Sequence, residues 1–362
     1  MSTNPHHYGL ILAGGRGTRF WPRSRKRSAK QVLNVVGDRS LIQATVDRIA
    51  PLIPAERLWV LTNHHLRDII VRQLPEIPPR QILAEPAQRN TAPAIGLAAQ
   101  ILHDLDPDAI MGVFPADHVV GKPTAYRAVL KSALKAAAGG HLMVVGIQPR
   151  WPETGYGYIQ FPRGMKSAAG AAACQPVRKF HEKPDSAKAR RYLSAGHYYW
   201  NSGMFFWRTG VFLDEFRRYL PRTATILAAL PAFGNRRFRD ALARAFPLCE
   251  NISVDYAVLE HSTKVAGIPA SDFGWNDVGS WNAVYELLPR DSHGNVAVHD
   301  SVCVDSHHNF VDASGKTVAL LGVENLIVVD TPDALLVAAR DRAQSVGEIL
   351  KLLEKSGREE LL

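Results

Sequence analysis

Leu12-Ala13-Gly14-Gly15-Arg16-Gly17-Thr18-Arg19, running on to Lys30, is the stretch from which the fold and chemistry of this chain are read. It follows a short apolar run, Tyr8 to Leu12, so it sits where a first strand hands over to a loop. Three glycines in four positions leave backbone N–H groups uncovered and permit positive φ. Such a loop wraps an anion with its N–H groups, as a nest or a helix N-terminus does. The residues beyond it are basic: Arg16, Arg19, Arg23, Arg25, Lys26, Arg27 and Lys30, with no acid before Asp38. A glycine loop with that many cations reads as a triphosphate site, against the plainer reading of a surface turn with solvated arginines. It is neither of two familiar phosphate motifs. No Gly-Lys-Ser/Thr run follows at P-loop spacing, and Phe20 stands where a dinucleotide fingerprint needs its third glycine.

The alternation around this loop defines the fold class. Strand-like runs at 57–61, 81–83, 109–114 and 141–147 alternate with helical patterns at 41–49, 65–74, 91–103 and 126–138. Ser40 is placed to cap the first of these helices. Strand and helix in turn predict right-handed crossovers and an α/β, Rossmann-like, mixed but mainly parallel sheet covered on both faces. Ligands on such sheets bind beyond the carboxyl ends of the strands, where the glycine loop and Pro115-Ala116-Asp117-His118 both fall. From about 150 to 270 the texture changes. Strands are expected at 156–161, 177–180 and 200–207, and helices at 211–219, 223–230, 238–246 and 254–261, as in a substrate lobe inserted into the sheet. The Ala/Gly-rich run Gly164 to Ala173 is a candidate mobile loop. Past Pro289, short strand-like pieces at 293–304, 309–311, 317–322 and 325–329, separated by Gly, Asn and Asp turns, predict a small β-rich, β-helix-like module. A helix over 341–355 closes it. The expected layout is a catalytic domain over 1–288 and a small domain over 289–362. The tail is expected to serve oligomer contacts rather than catalysis.

Composition narrows the class. The chain has 362 residues, 46% hydrophobic and 21% charged, room for one large domain and a smaller partner. No apolar run approaches the roughly 20 residues of a membrane span. Met1 to His7 lacks the basic and apolar regions of a secretory signal. Cys174, Cys249 and Cys303 are scattered without CxxC spacing, so neither a disulfide framework nor a zinc site is indicated. A cytoplasmic location and no membrane partner are therefore expected. The net charge of +9 suits an anionic substrate. A nucleic-acid binder should gather its cations in a stripe or tail. Here the sharpest cluster coincides with the glycine loop, so no nucleic-acid partner is expected.

Asp117 ends an apolar strand at the binding edge, the position of a carboxylate that holds a divalent cation against phosphates, although a turn-capping role competes. Asp277, in Trp275-Asn276-Asp277-Val278-Gly279-Ser280-Trp281, is the second metal candidate, against the reading of a packed corner. Phosphoryl and nucleotidyl transfer ask chiefly for positioning and charge stabilisation. Arg19, Lys30 and Lys183 supply cations for that. His118 reads as a structural neighbour of Asp117 rather than a base.

With these residues in place, the chain resembles the sugar-1-phosphate nucleotidylyltransferases, and within them the mannose-1-phosphate guanylyltransferases. The signature loop from Leu12 to Arg25 with Lys30-Gln31 carries the resemblance first. Glu85-Pro86 with Arg89-Asn90-Thr91-Ala92-Pro93-Ala94-Ile95, Phe114 to His118, and Thr154 to Ile159 extend it. So do Phe180 to Pro184, Trp200 to Phe205, Ser253 to Ala257, Trp275 to Trp281, and the tail from Glu324 to Arg342. The resemblance implies a GT-A-like nucleotidyltransferase fold and transfer of GMP from GTP to mannose 1-phosphate with Mg2+; a homodimer is expected, although the sequence alone does not give the oligomeric state. It implies catalytic Arg19 and Lys30, and metal-holding Asp117 and Asp277. Nucleotide contacts are implied for Leu12, Ala13, Gly14, Gly15, Gly17, Thr18, Glu85, Arg89, Asn90 and Thr91, the last four toward guanine. Gly157, Glu182 and Asn201 are implied for the sugar hydroxyls and Lys183 for its phosphate. The rivals are the same fold acting on a heptose or glucose 1-phosphate, and a non-catalytic regulatory paralogue, which would be expected to lose Arg19, Lys30, Asp117 or Asp277. One departure from the family pattern stands out. Proline usually precedes the catalytic lysine, and here Ser28-Ala29 does, which predicts a looser lysine loop.

Overall fold

A computed structural model describes residues 4–164 and 174–362, so the Ala/Gly-rich run lies almost wholly outside the described residues. The chain divides into two compact units that interleave along the sequence. One takes Met1–Gly14, Thr45–Ala116 and Val120–Trp275. The other takes Gly15–Ala44, Asp117–Val119 and Asn276–Leu362.

The first unit is built on a mixed sheet. His7–Ala13 lies between Leu58–Asn63 and Ile110–Pro115, parallel to both, and Ile82–Glu85 adds a parallel edge. The alternation expected over the first 150 residues is thus present. The sheet does not pass directly from Ile110–Pro115 to Leu142–Ile147, however. Tyr198–Arg208 runs antiparallel between them. Its sequence explains the placement. Met204 and Phe206 bury on one face while Phe205 and Trp207 bury on the other, and only an inner strand covers both. Val265–Ala270 then pairs parallel with Leu142–Ile147 and carries Gln175–Pro176 at its free side. The sequence hides Val265–Ala270 because Gly267 and Pro269 look like breakers; all six of its residues are buried. Tyr158–Gln160 and Lys179–His181 extend a small antiparallel flap from the central aromatic strand.

Helices cover this sheet as their patterns dictate. Thr91–Leu105 is buried from Ala92 through Ala99 and again at Ile101 and Leu102, and packs against Thr209–Tyr219 and Pro221–Ala228. The core joins Leu10, Leu61, Ile95, Met111, Val113, Val144, Phe205, Trp207, Phe212 and Phe216. The expected helix over 254–261 is only a π-helical turn, Asp255–Leu259. Ser186–Ala195 is a further helix, capped by the Asp185 side chain on the Lys188 N–H at 2.8 Å.

The second unit gathers the basic stretch and the C-terminal third. Val296–Ala297, Phe310–Ala313 and Leu326–Thr331 stack in parallel, and Ser301–Val304 pairs parallel with Val318–Leu321, the repeated coils of a β-helix. Ala334–Ala339, which the sequence does not announce, closes the stack antiparallel to Leu326–Thr331. Buried Asn295 and Asn309 form a ladder between coils. The Asn295 Oδ1 accepts from the Asn309 N–H, and the Asn309 Oδ1 from the Leu326 N–H, each at 2.9 Å. The closing helix begins as a 3-10 segment, Arg340–Val346, and becomes α only over Gly347–Lys355. Phe20, Trp21, Trp281, Phe310, Ile327, Val329, Ala343, Val346 and Leu350 share one core. The Trp281 indole donates to the Trp21 carbonyl, and the Trp21 indole to the Leu361 carbonyl, both at 3.0 Å. Ser40 caps Leu41–Ile49 as expected, in a reciprocal pair with Gln43.

Candidate active site

In the second unit the basic stretch folds into two short 3-10 turns, Thr18–Phe20 and Lys30–Val32. Gly17 makes this possible. Its φ is +61°, and a Cβ there would stand 2.6 Å from the Cβ of Lys30. The lysine is therefore drawn against the glycine loop, with its side chain only 7% exposed. Its ammonium lies 2.9 Å from the Asp117 Oδ2 and donates to the Asp277 carbonyl at 2.7 Å. Burial alone would raise the Asp117 carboxyl. The Lys30 ammonium, with His118, outweighs burial and holds it below the ordinary carboxylate range.

The turn that delivers Asp277 is strained. Val278, β-branched and fully buried, has a φ of +49°, while the Asn276 side chain accepts its N–H at 2.7 Å. The packed corner expected of this turn is thus present. A Cβ on Gly279 would lie 3.0 Å from the Asp277 Oδ2 and 3.5 Å from the Arg19 Nη1. The structure accordingly assembles Arg19, Lys30, Asp117 and Asp277 from three separate segments. Two carboxylates suit a hard cation that completes its shell with phosphate oxygens and water. Among the described residues no group of three or more His, Cys, Asp or Glu side chains forms a softer or all-protein cage.

In the first unit, Gly14 follows the strand end whose Ala13 carbonyl accepts the Thr62 hydroxyl at 2.9 Å. A Cβ on Gly14 would come within 3.2 Å of the Glu85 Oε2. Burial pushes the Glu85 carboxyl up to about 8. The other three residues of the expected guanine group have bonds of their own. Arg89 donates through Nε and Nη2 to the Pro247 carbonyl. Asn90, at a φ of 64°, caps the Thr91–Leu105 helix, and the Thr91 hydroxyl accepts the Val254 N–H at 2.9 Å.

The sugar candidates also meet in the first unit. A bulge between Asn201 and Phe205, with Gly203 at a φ of 70°, turns Asn201 out of register. Its N–H donates to the Gly157 carbonyl at 2.8 Å, and its Nδ2 to the Asp255 Oδ1 at 2.9 Å. A Cβ on Gly157 would fall 2.4 Å from the Glu182 Oε2, so only glycine leaves room for that carboxyl. The Glu182 Oε2 is buried with no hydrogen-bond partner. Burial and then the Asp255 charge raise the Glu182 carboxyl to about 7, and burial raises Asp255 to about 6. Lys183, at a φ of 43°, reaches the Glu182 Oε1 at 3.4 Å. Asp255 has no role assigned by its sequence motif. The signal is there, a lone acid in Ser253-Val254-Asp255-Tyr256-Ala257, but its contact with Asn201 depends on the bulge.

Comparison with known proteins identifies the family. The nucleotidyl transferase family model matches residues 8–293, and the MannoseP isomerase/GMP-like β-helix domain model matches residues 299–353. The alginate biosynthesis protein AlgA of Pseudomonas aeruginosa is 39% identical over 97% of this chain and 73% of its own length. A mannose-1-phosphate guanylyltransferase of Klebsiella pneumoniae is 39% identical over 97% of this chain and 74% of its own. A crystal structure from Thermus thermophilus, described as a mannose-1-phosphate geranyltransferase, superposes with a TM-score of 0.84 at 33% identity. It covers 96% of this chain and 99% of the other. By its ordered motifs, its sheet and its β-helix coils, the chain belongs to the mannose-1-phosphate guanylyltransferase family of nucleotidyl transferases.

Proposed function

We propose that the protein transfers GMP from GTP to α-D-mannose 1-phosphate, giving GDP-mannose and pyrophosphate. The observation that carries this reading is the Lys30 ammonium held at the Asp117 carboxylate and the Asp277 carbonyl, with Arg19 beside Asp277. The relatives named mannose-1-phosphate guanylyltransferase support the choice of substrates. The sugar-phosphate oxygen attacks the α-phosphorus in line, and pyrophosphate leaves. Arg19 holds the leaving phosphates with the N–H groups of Gly14, Gly15, Gly17 and Thr18, and Leu12 and Ala13 carry the strand end that presents them. Lys30 meets charge growing on the α-phosphate, where stabilisation raises the rate.

The family's chemistry uses a divalent cation. We propose Mg2+, held by Asp117 and Asp277, neutralising phosphate charge when bound. Glu85 accepts the guanine N–H groups, with Arg89, Asn90 and Thr91 as its companions at the base. Glu182 and Asn201, beside Gly157, bond the sugar hydroxyls, and Lys183 its phosphate. Catalysis by residues 1–288, with 289–362 as a β-helix module, a homodimer and a cytoplasmic location complete the proposal. Among the described residues no helix is long and apolar enough to cross a membrane.

Pyrophosphate release with GTP, mannose 1-phosphate and Mg2+ tests the reaction. A strong preference for glucose or heptose 1-phosphate would reassign the sugar, and no turnover with any of them would favour a regulatory paralogue. Lys30→Ala should cut kcat by about a hundredfold or more with the circular-dichroism spectrum intact. Near-normal turnover would remove Lys30 from the site.

A further inference from the structure

We infer that Gln344 is a positioning residue for Arg19, so that the arginine of the signature loop is oriented from the C-terminal segment. The inference rests on the reading of Arg19 as a phosphate ligand. A guanidinium has five N–H donors, two of them on each terminal nitrogen. The Arg19 Nη1 donates to the Gly279 carbonyl at 3.0 Å and to the Gln344 Oε1 at 2.8 Å. Both of its hydrogens are thereby used, and the edge formed by Nε and Nη2 is left to pair with a phosphate in two parallel bonds. Without Gln344 the group is held at one point and swings about the Gly279 contact.

The Gln344 backbone is itself fixed against the same loop. Its neighbours Ala343 and Val346 are buried in the core that also holds Phe20 and Trp21. Arg340, which starts the segment, stacks over Tyr285 at 3.6 Å from the ring centroid and bonds the Asn282 side chain at 2.9 Å. Gly347 faces the Thr18 hydroxyl, and Glu354 pairs with Arg16 at 3.3 Å. The amide matters as much as the position. An amide oxygen orients a cation without cancelling its charge, whereas a carboxylate there would bind Arg19 and compete with the phosphates.

Gln344→Ala and Gln344→Glu, compared with Arg19→Ala, test this in the pyrophosphate-releasing direction and its reverse. Gln344 is exposed, and both variants should melt as the parent does. Gln344→Ala should lower kcat about tenfold and raise KM for pyrophosphate, with KM for the sugar phosphate unchanged. Gln344→Glu should be worse still, about a hundredfold, and most damaging at low salt. Equal losses in the two variants would mean a merely structural contact and overturn the inference. So would activity within twofold of the parent in both while Arg19→Ala is crippled. Normal turnover in Arg19→Ala would instead overturn the phosphate reading of Arg19 beneath it.

Discussion

Glu85 titrates where few carboxylates do. Held up to about 8 by burial, it is largely protonated at neutral pH in the free protein. Guanine offers N–H donors, so the carboxylate is the form that binds. GTP affinity should therefore fall as pH drops below 8, by about 20-fold between pH 8.5 and 6.5. Titration calorimetry in buffers of different ionisation enthalpy should show a proton released at neutral pH. Glu85→Gln should flatten the profile; an unchanged slope would take Glu85 away from the base. The stability sign follows from the same shift. A folded pKa raised above the ordinary 4.5 means the side chain costs stability progressively as pH climbs toward 8. Ala29 makes a second residue-scale point. Its φ is −71°, inside the range a proline ring imposes, so the lysine turn has a proline-compatible backbone without the ring. Ala29→Pro should raise the thermal midpoint by about 1 °C, by restricting the unfolded chain, with kcat unchanged. A lower midpoint would show that the Ala29 N–H or Ser28 cannot accommodate the ring.

Elements differ in how far sequence reveals them. The strand before the glycine loop and the helices at 41–49 and 91–105 are legible because period and caps agree. The proximity of Lys30 to Asp117 and Asp277 is legible because a dense basic stretch and acids at tight turns are conspicuous. Asp255 is not, since its partner Asn201 is aimed by a bulge that depends on Gly203. Val265–Ala270 and Ala334–Ala339 escape for opposite reasons. One looks broken by Gly and Pro, and the other, Ala-Leu-Leu-Val-Ala-Ala, is apolar throughout and lacks the alternation that marks a strand with one exposed face. The asparagine ladder gives this scale its test. Asn309 is fully buried, and its amide also donates to the Asn295 Oδ1 and the Val323 carbonyl at 3.1 Å each. Asn309→Ala leaves the Leu326 N–H without its acceptor, at about 1–3 kcal/mol, and removes two further bonds. The thermal midpoint should fall by several degrees, and Asn309→Asp should not restore it, because its second oxygen would face the Asn295 Oδ1 and the Val323 carbonyl in place of a donor. An unchanged midpoint in Asn309→Ala would remove the ladder from the account of the coils.

At the scale of the molecule, the division of labour does not follow chain order. Most of the groups proposed for the triphosphate, Gly15 through Lys30 with Asp117 and Asp277, belong to one compact unit, whereas Gly14 and the groups proposed for base and sugar, Lys183 among them, belong to the other. Deleting residues 289–362 would strip Phe20, Trp21 and Trp281 of Phe310, Ile327, Val329, Val346 and Leu350. A fragment of residues 1–288 should therefore be cut by protease within 15–44 and release no pyrophosphate, even if its sheet survives. Full activity in that fragment would show that the basic stretch holds its shape unaided.

The interleaving has a further consequence for how the chain acquires its structure. Residues 15–44 emerge from the ribosome well ahead of the coils and closing helix that complete their core, which lie more than two hundred residues later. Contacts of such long sequence separation form late, because loop closure must precede their reward. The parallel sheet can gather while the signature loop is still unstructured. Competence to bind a triphosphate then arrives last, in one step, when the C-terminal coils dock.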